Sequence, residues 1–168
     1  MKKKYIILIL LVVVFLCACD AKTNKKGDTK EDVTTKEDTS LKVGEYDLSL
    51  TESGSFQEVH YQYPSDTAVN SLGTYTILVY TKKDDSVLFK VAFSKYENKT
   101  ITEAMNSDKL KQLGIKRYGN LDWLQHEVEG KYHNYAIEKN GNTYVIDFIY
   151  DEDLGDFEEE FMKNVTLS

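Results

Sequence analysis

Three textures follow one another along the chain. From Tyr5 to Leu16 every side chain is apolar, from Asp20 to Gly44 only Val33, Leu41 and Val43 are sizeable apolar residues, and beyond Gly44 apolar and polar positions alternate in short runs. The alternation has the two-residue period of a half-buried strand. Val87, Phe89, Val91 and Phe93 interleave with Leu88, Lys90, Ala92 and Ser94. Tyr75, Ile77 and Val79 precede them across the polar loop Lys82-Lys83-Asp84-Asp85, which predicts a hairpin, and Val59, Tyr61 and Tyr63 before Pro64 read as the first strand.

The last third carries the firmest register. Asn140-Gly141, between Tyr135–Lys139 and Asn142–Tyr150, is the sequence of a type I′ hairpin turn. Pairing Lys139 with Asn142 sets Ile137 opposite Tyr144, Tyr135 opposite Ile146 and His133 opposite Phe148. If Gly130-Lys131 centres the preceding turn, Val128 faces His133 and His126 faces Tyr135. Leu124, Val128, Tyr135, Ile137, Tyr144, Ile146, Phe148 and Tyr150 then share the core face, together with His126 and His133. Trp123, Glu127, Asn134 and Asp147 fall on the opposite face.

Two helices are expected among the strands. Thr100-Ile-Thr-Glu103 has the form of a capping box opening a helix through about Leu113, with Gly114 as its stop. Asp156-Phe-Glu-Glu159 has the same form, and Phe157, Phe161 and Val165 make a stripe at helical spacing. The fold class expected is α+β: a mostly antiparallel sheet of about six or seven strands with two or more helices packed on it. The order of elements, with a Tyr-Pro strand end, a central helix, Gly119-Asn120 before Trp123, the Asn-Gly hairpin and a terminal Phe-containing helix, resembles the PsbP-like fold over residues 45–168. That resemblance implies a binding or accessory role and transfers no functional residue.

At the other end, Lys2, Lys3 and Lys4 precede the apolar run, which closes on Leu16-Cys17-Ala18-Cys19. As a helix this run would reach ~18 Å, short of the ~30 Å of a bilayer core. The pattern resembles the signal peptide and lipobox of bacterial lipoproteins. The resemblance implies cleavage before Cys19, diacylglycerol on its sulfur and a tethered protein on the extracytoplasmic face of the cell membrane, with a Gram-positive host favoured. An ordinary secretory signal cut after Ala18 and an uncleaved anchor helix are the competing readings. The organisation expected is a signal peptide over 1–18, a lipidated cysteine and flexible tether over 19–44, and one domain over 45–168. The repeated TKED at 29–32 and 35–38 reads as low-complexity spacer.

Charge narrows the partners. The chain carries 21 basic and 28 acidic residues, and losing the leader's three lysines takes the formal charge from −7 to about −10. Arg117 is the only arginine and stands in no basic stripe, so nucleic acid is excluded as a partner. Both cysteines lie in the lipobox region, which leaves the domain neither disulfide nor free thiol.

Candidate chemistry is sparse. His126 and His133, diagonal on one face, could share a metal ion. Glu127 and Asp147, two strands apart with Asn134 between them, could flank a glycosidic bond or share a calcium ion, with Trp123 as a platform in the same column. The acidic run Asp151–Glu160 departs from the EF-hand order. No Gly-rich phosphate loop, GxSxG elbow, HExxH or CxxC is present, and no cofactor is called for. The expectation is a lipid-anchored, non-enzymatic binding or accessory module with a protein or cell-envelope partner. The alternatives are an envelope hydrolase using the carboxylate pair and a small solute- or metal-binding lipoprotein.

Overall fold

The computed structural model describes residues 41–168. The leader, Cys19 and nearly all of the expected tether lie outside the described residues. In chain order the elements are β1 (Lys42–Val43), β2 (Tyr46–Asp47), β3 (Glu52–Phe56), β4 (Val59–Tyr63), β5 (Thr67–Leu72), β6 (Tyr75–Thr81), β7 (Val87–Tyr96), α1 (Ile101–Ala104), β8 (Leu110–Tyr118), β9 (Leu121–Val128), β10 (Tyr132–Lys139), β11 (Asn142–Tyr150), α2 (Phe157–Lys163) and β12 (Thr166–Leu167). Leu41 and Val43, at the first hairpin, already pack against the core.

Seven antiparallel strands form the main sheet in the order β5-β6-β7-β11-β10-β9-β8, and β12-β4-β3 form a second, smaller one. Two meanders, β5 to β7 and β8 to β11, meet where β11 pairs with β7. The link between the meanders crosses one face of the sheet. Thr143 donates its hydroxyl to the carbonyl of Lys99, the Ile101 amide donates to Glu138, and the Glu129 amide donates to the carbonyl of Lys109. That face is called outer here, and the opposite, inner face holds the core.

The inner face is aromatic, and β3, β4 and α2 cover it. Tyr61 of β4 stacks on Phe93 of β7 at 4.2 Å between ring centroids, Phe157 of α2 meets Phe89 at 4.5 Å, and Phe161 meets Phe148 edge-on at 5.4 Å. Gly54 of β3 makes this closure possible: a Cβ there would lie 2.6 Å from the Tyr61 ring. The stripe of Phe157, Phe161 and Val165 is buried as its spacing requires.

The expected α+β class is corrected to a mostly β protein. Among the described residues the two helices are four and seven residues long, and only α2 contributes buried side chains, so the helix-on-sheet architecture implied by the PsbP-like resemblance is not found there. The capping box at Thr100 and Glu103 forms, yet its helix ends at Ala104 and not near Leu113. Asn106, Ser107 and Asp108 follow, residues whose short polar side chains compete for the backbone and favour turns over helix interiors. Residues 110–118 instead give β9 a hydrogen-bonded neighbour, with an irregularity in register between Gln112 and Gly114, where Gly114 adopts φ +135°. Asp156 precedes α2 without making a side-chain cap.

Candidate functional site

The two turns of the second meander decide which side chains meet. At the β10–β11 turn Asn140 and Gly141 both take positive φ, as a type I′ turn requires, and the register is the expected one. At the β9–β10 turn Glu129 and Gly130 take φ of 55° and 72°, and the pairing closes on Val128 with Tyr132. That is one residue earlier than the sequence suggested. A one-residue slip sends every side chain of β9 to the other face.

The slip separates both candidate pairs. His126 lies opposite Asn134 on the outer face, whereas His133 lies opposite Glu127 on the inner face, so the two histidines are divided by the sheet and cannot share a metal ion. Glu127 is likewise divided from Asp147, which pairs with Asn134 and Ala92 on the outer face. Glu127 is engaged by Lys111 at 3.6 Å. Trp123 joins the inner side and is fully buried, so it is core and not a ligand platform. Of the expected row, only Asn134 and Asp147 remain together. Among the described residues, no three His, Cys, Asp or Glu side chains gather into a group that could hold a metal ion.

What the outer face does assemble is a polar strip across three strands. The Nδ1 of His126 lies 3.1 Å from Oδ1 of Asn134, and the side-chain NH2 of Asn134 donates to the Asp147 carboxyl. Burial pushes the Asp147 carboxyl up to about 6, with the Asn134 bond opposing it. Burial moves His126 the opposite way, below its ordinary value. Both groups therefore favour their neutral forms. Asn134 and His126 are 2% and 6% exposed although they face away from the aromatic core.

A second polar group sits under α2. The carboxylate of Glu158 accepts from Tyr135 at 2.5 Å and from Tyr150 at 3.0 Å, with Nδ1 of His133 at 3.0 Å, while Gln125 donates to the Tyr135 oxygen at 2.9 Å. Burial and the Glu158 charge raise the Tyr135 and Tyr150 hydroxyls well above their ordinary range. This cluster fixes α2 to the sheet and offers no open approach to a substrate. No spacing in the sequence marks it, because Glu158 reads as one of the favourable acids in a helix's first turn.

Around the outer strip the sheet exposes apolar side chains: Leu72 is 63%, Tyr75 40%, Ile115 71% and Ile149 38% exposed. Together these features define a small mostly β domain with an aromatic core on one face and, on the other, a neutral polar strip that is itself buried and is flanked by exposed apolar residues. No protein-family model matches the chain, and neither a curated protein nor a solved structure is similar to it.

Proposed function

We propose that this protein is a lipid-anchored binding or accessory module at the extracytoplasmic face of the membrane, without catalysis of its own. Acyl chains on Cys19 hold it there, and the outer face of its sheet engages a protein or other envelope partner. The observation that supports a module over a hydrolase is the separation of Glu127 and Asp147 by the thickness of the sheet. Acid–base cleavage of a glycoside needs two carboxyl groups flanking one bond from a shared cleft. The metal-binding alternative loses its histidine pair in the same way. The exposed Leu72, Tyr75 and Ile149 give the uncovered part of the outer face the apolar character of a recognition surface.

Two measurements test the reading. Cells grown with labelled fatty acid are expected to label the protein, and Cys19→Ala is expected to abolish the label; label surviving that change removes the anchor. In-cell cross-linking followed by affinity capture of the full-length protein is expected to recover an envelope component, and Tyr75→Asp with Ile149→Asp to lose it. Capture indifferent to those substitutions removes the outer face from the proposal.

A further inference from the structure

At the corner where the β1–β2 turn, the β4–β5 turn and the end of β6 converge lies an open cavity of about 460 Å³. Its volume falls within the ~300–1,000 Å³ of small-molecule sites. Its lining is unusual for such a site because it contains no aliphatic side chain. Two tyrosines, Tyr46 and Tyr80, three acids, Glu45, Asp47 and Asp66, and two lysines, Lys82 and Lys83, are joined only by serines and threonines.

Both lysines are matched within the protein, which leaves Asp47 and Asp66, among the described residues, as the unpaired carboxylates of the lining. Lys83 pairs with Glu45 at 2.5 Å and Lys82 pairs with Glu152, so neither ammonium is left over for an anion. Asp47 uses Oδ1 to accept from the amide and hydroxyl of Ser49, at 3.0 and 2.5 Å, which fixes the carboxylate with its other oxygen clear of that turn. Asp66 is exposed and enters no ion pair among the described residues. Fixed carboxylate oxygens are acceptors that match the hydroxyl donors of a polyol and give short, charge-assisted bonds.

The aromatic wall is held rigidly. Tyr80 is 5% exposed, stacked on Phe89 at 5.4 Å, and its buried ring braces the half-buried Tyr46 edge-on at 6.2 Å and 81°. Burial and the nearby charges of Asp66 and Asp47 raise the Tyr80 hydroxyl above its ordinary value, which keeps it a donor beside two acceptors. A tyrosine offers apolar ring area for the C–H face of a sugar and a hydroxyl for its rim. An acyl chain would find nothing aliphatic to contact, and an anion would face Asp47 and Asp66.

We propose that this cavity binds a neutral saccharide, one or two units of an envelope glycan, with the Tyr46 ring as the apolar wall and Asp47 and Asp66 as hydroxyl acceptors. This deepens the binding reading above and rests on it, while using a corner of the domain distinct from the outer face of the sheet. The test is calorimetric titration of the full-length protein, held in a zwitterionic detergent without a sugar headgroup. The probes are chitobiose, cellobiose and maltose, with inorganic phosphate and spermidine as charged comparators. At least one neutral disaccharide is expected to bind saturably, and Asp66→Asn and Tyr46→Ala each to weaken it by about tenfold or more. Because Asp66 is exposed, its amide variant is expected to melt with the parent and so reports on the site alone. Binding of none of the three sugars, binding of the charged comparators only, or binding that survives both substitutions overturns the proposal. A protein that captures an envelope polypeptide through its outer face yet binds no sugar overturns the saccharide site and leaves the binding module standing.

Discussion

Tyr135, on the inner face of β10, donates a 2.5 Å hydrogen bond to Glu158 of α2 while accepting one from Gln125 of β9. One hydroxyl thus ties the seven-residue helix to two strands that are its distant neighbours in sequence. Tyr135 is 1% exposed and Gln125 is buried with it, while Glu158 is part-buried.

Tyr135→Phe keeps the ring and removes the link. Gln125 loses its acceptor and Glu158 keeps only Tyr150 and His133. The expected cost is about 1–3 kcal/mol, the price of leaving buried polar groups unpaired. Urea denaturation measures it, and a cost indistinguishable from zero would show that α2 docks through its phenylalanines alone.

Asp147 and His126 impose opposing pH dependences. Burial raises Asp147 from 3.8 to about 6, so its contribution to stability is complete below about pH 4 and is lost as pH rises through 6. His126 is lowered from 6.5, so its contribution is present above that value and is lost as pH falls. Asp147→Asn is expected to stabilise the protein by about 1–3 kcal/mol at neutral pH and to change little near pH 4. It also leaves His126 unopposed, so the variant is expected to lose stability as pH falls from 7 to 5. Melting temperatures across that range decide the matter; parallel curves for parent and variant would contradict it.

At Gly54 the backbone is ordinary and only space is lacking. A methyl group would meet Cε2 and Cζ of Tyr61 at 2.6 and 2.8 Å, and that ring is pinned against Phe93. Gly54→Ala is expected to destabilise by about 1–3 kcal/mol, as overpacking does. Pairing it with Tyr61→Leu should recover part of the loss, which a double-mutant cycle reads out.

The single tryptophan, Trp123, is fully buried and its Nε1 has no hydrogen-bond partner among the described residues. Its emission is expected to be blue-shifted, resistant to acrylamide and unchanged by sugars or envelope extract. Trp123→Phe, which removes that orphaned donor, is expected to cost less than about 1.5 kcal/mol. Strong quenching in the native state would place the indole at the surface and reverse the assignment.

Strand placement was legible because period and turn chemistry act locally. Val87 to Phe93 alternate as a strand must, and Asn140-Gly141 permits only a narrow set of turns, so both the β7 strand and the β10–β11 register follow from the residues themselves. Facing was harder to read. Gly130 marks a turn but not which neighbour shares its left-handed conformation, and Glu129 is a residue that adopts positive φ only under constraint. On that one dihedral hang the positions of Trp123, Glu127 and His126, and with them every candidate pair. The helix expected after Thr100 failed for a related reason. A capping box specifies where a helix starts, while its length is set by packing, and β9 needed a strand on its far side.

Strand β8 closes the sheet at one side with nine residues, six of them exposed, including Ile115. An open border of this length is a template on which an identical molecule could add its own strand. Molecules confined to a surface meet at high local density, where such zippering would consume them. The irregular pairing between Gln112 and Gly114 bends that border and breaks the regular run of backbone groups that an added strand would need. A straight partner strand thus meets a kinked margin, which disfavours edge-to-edge growth between copies.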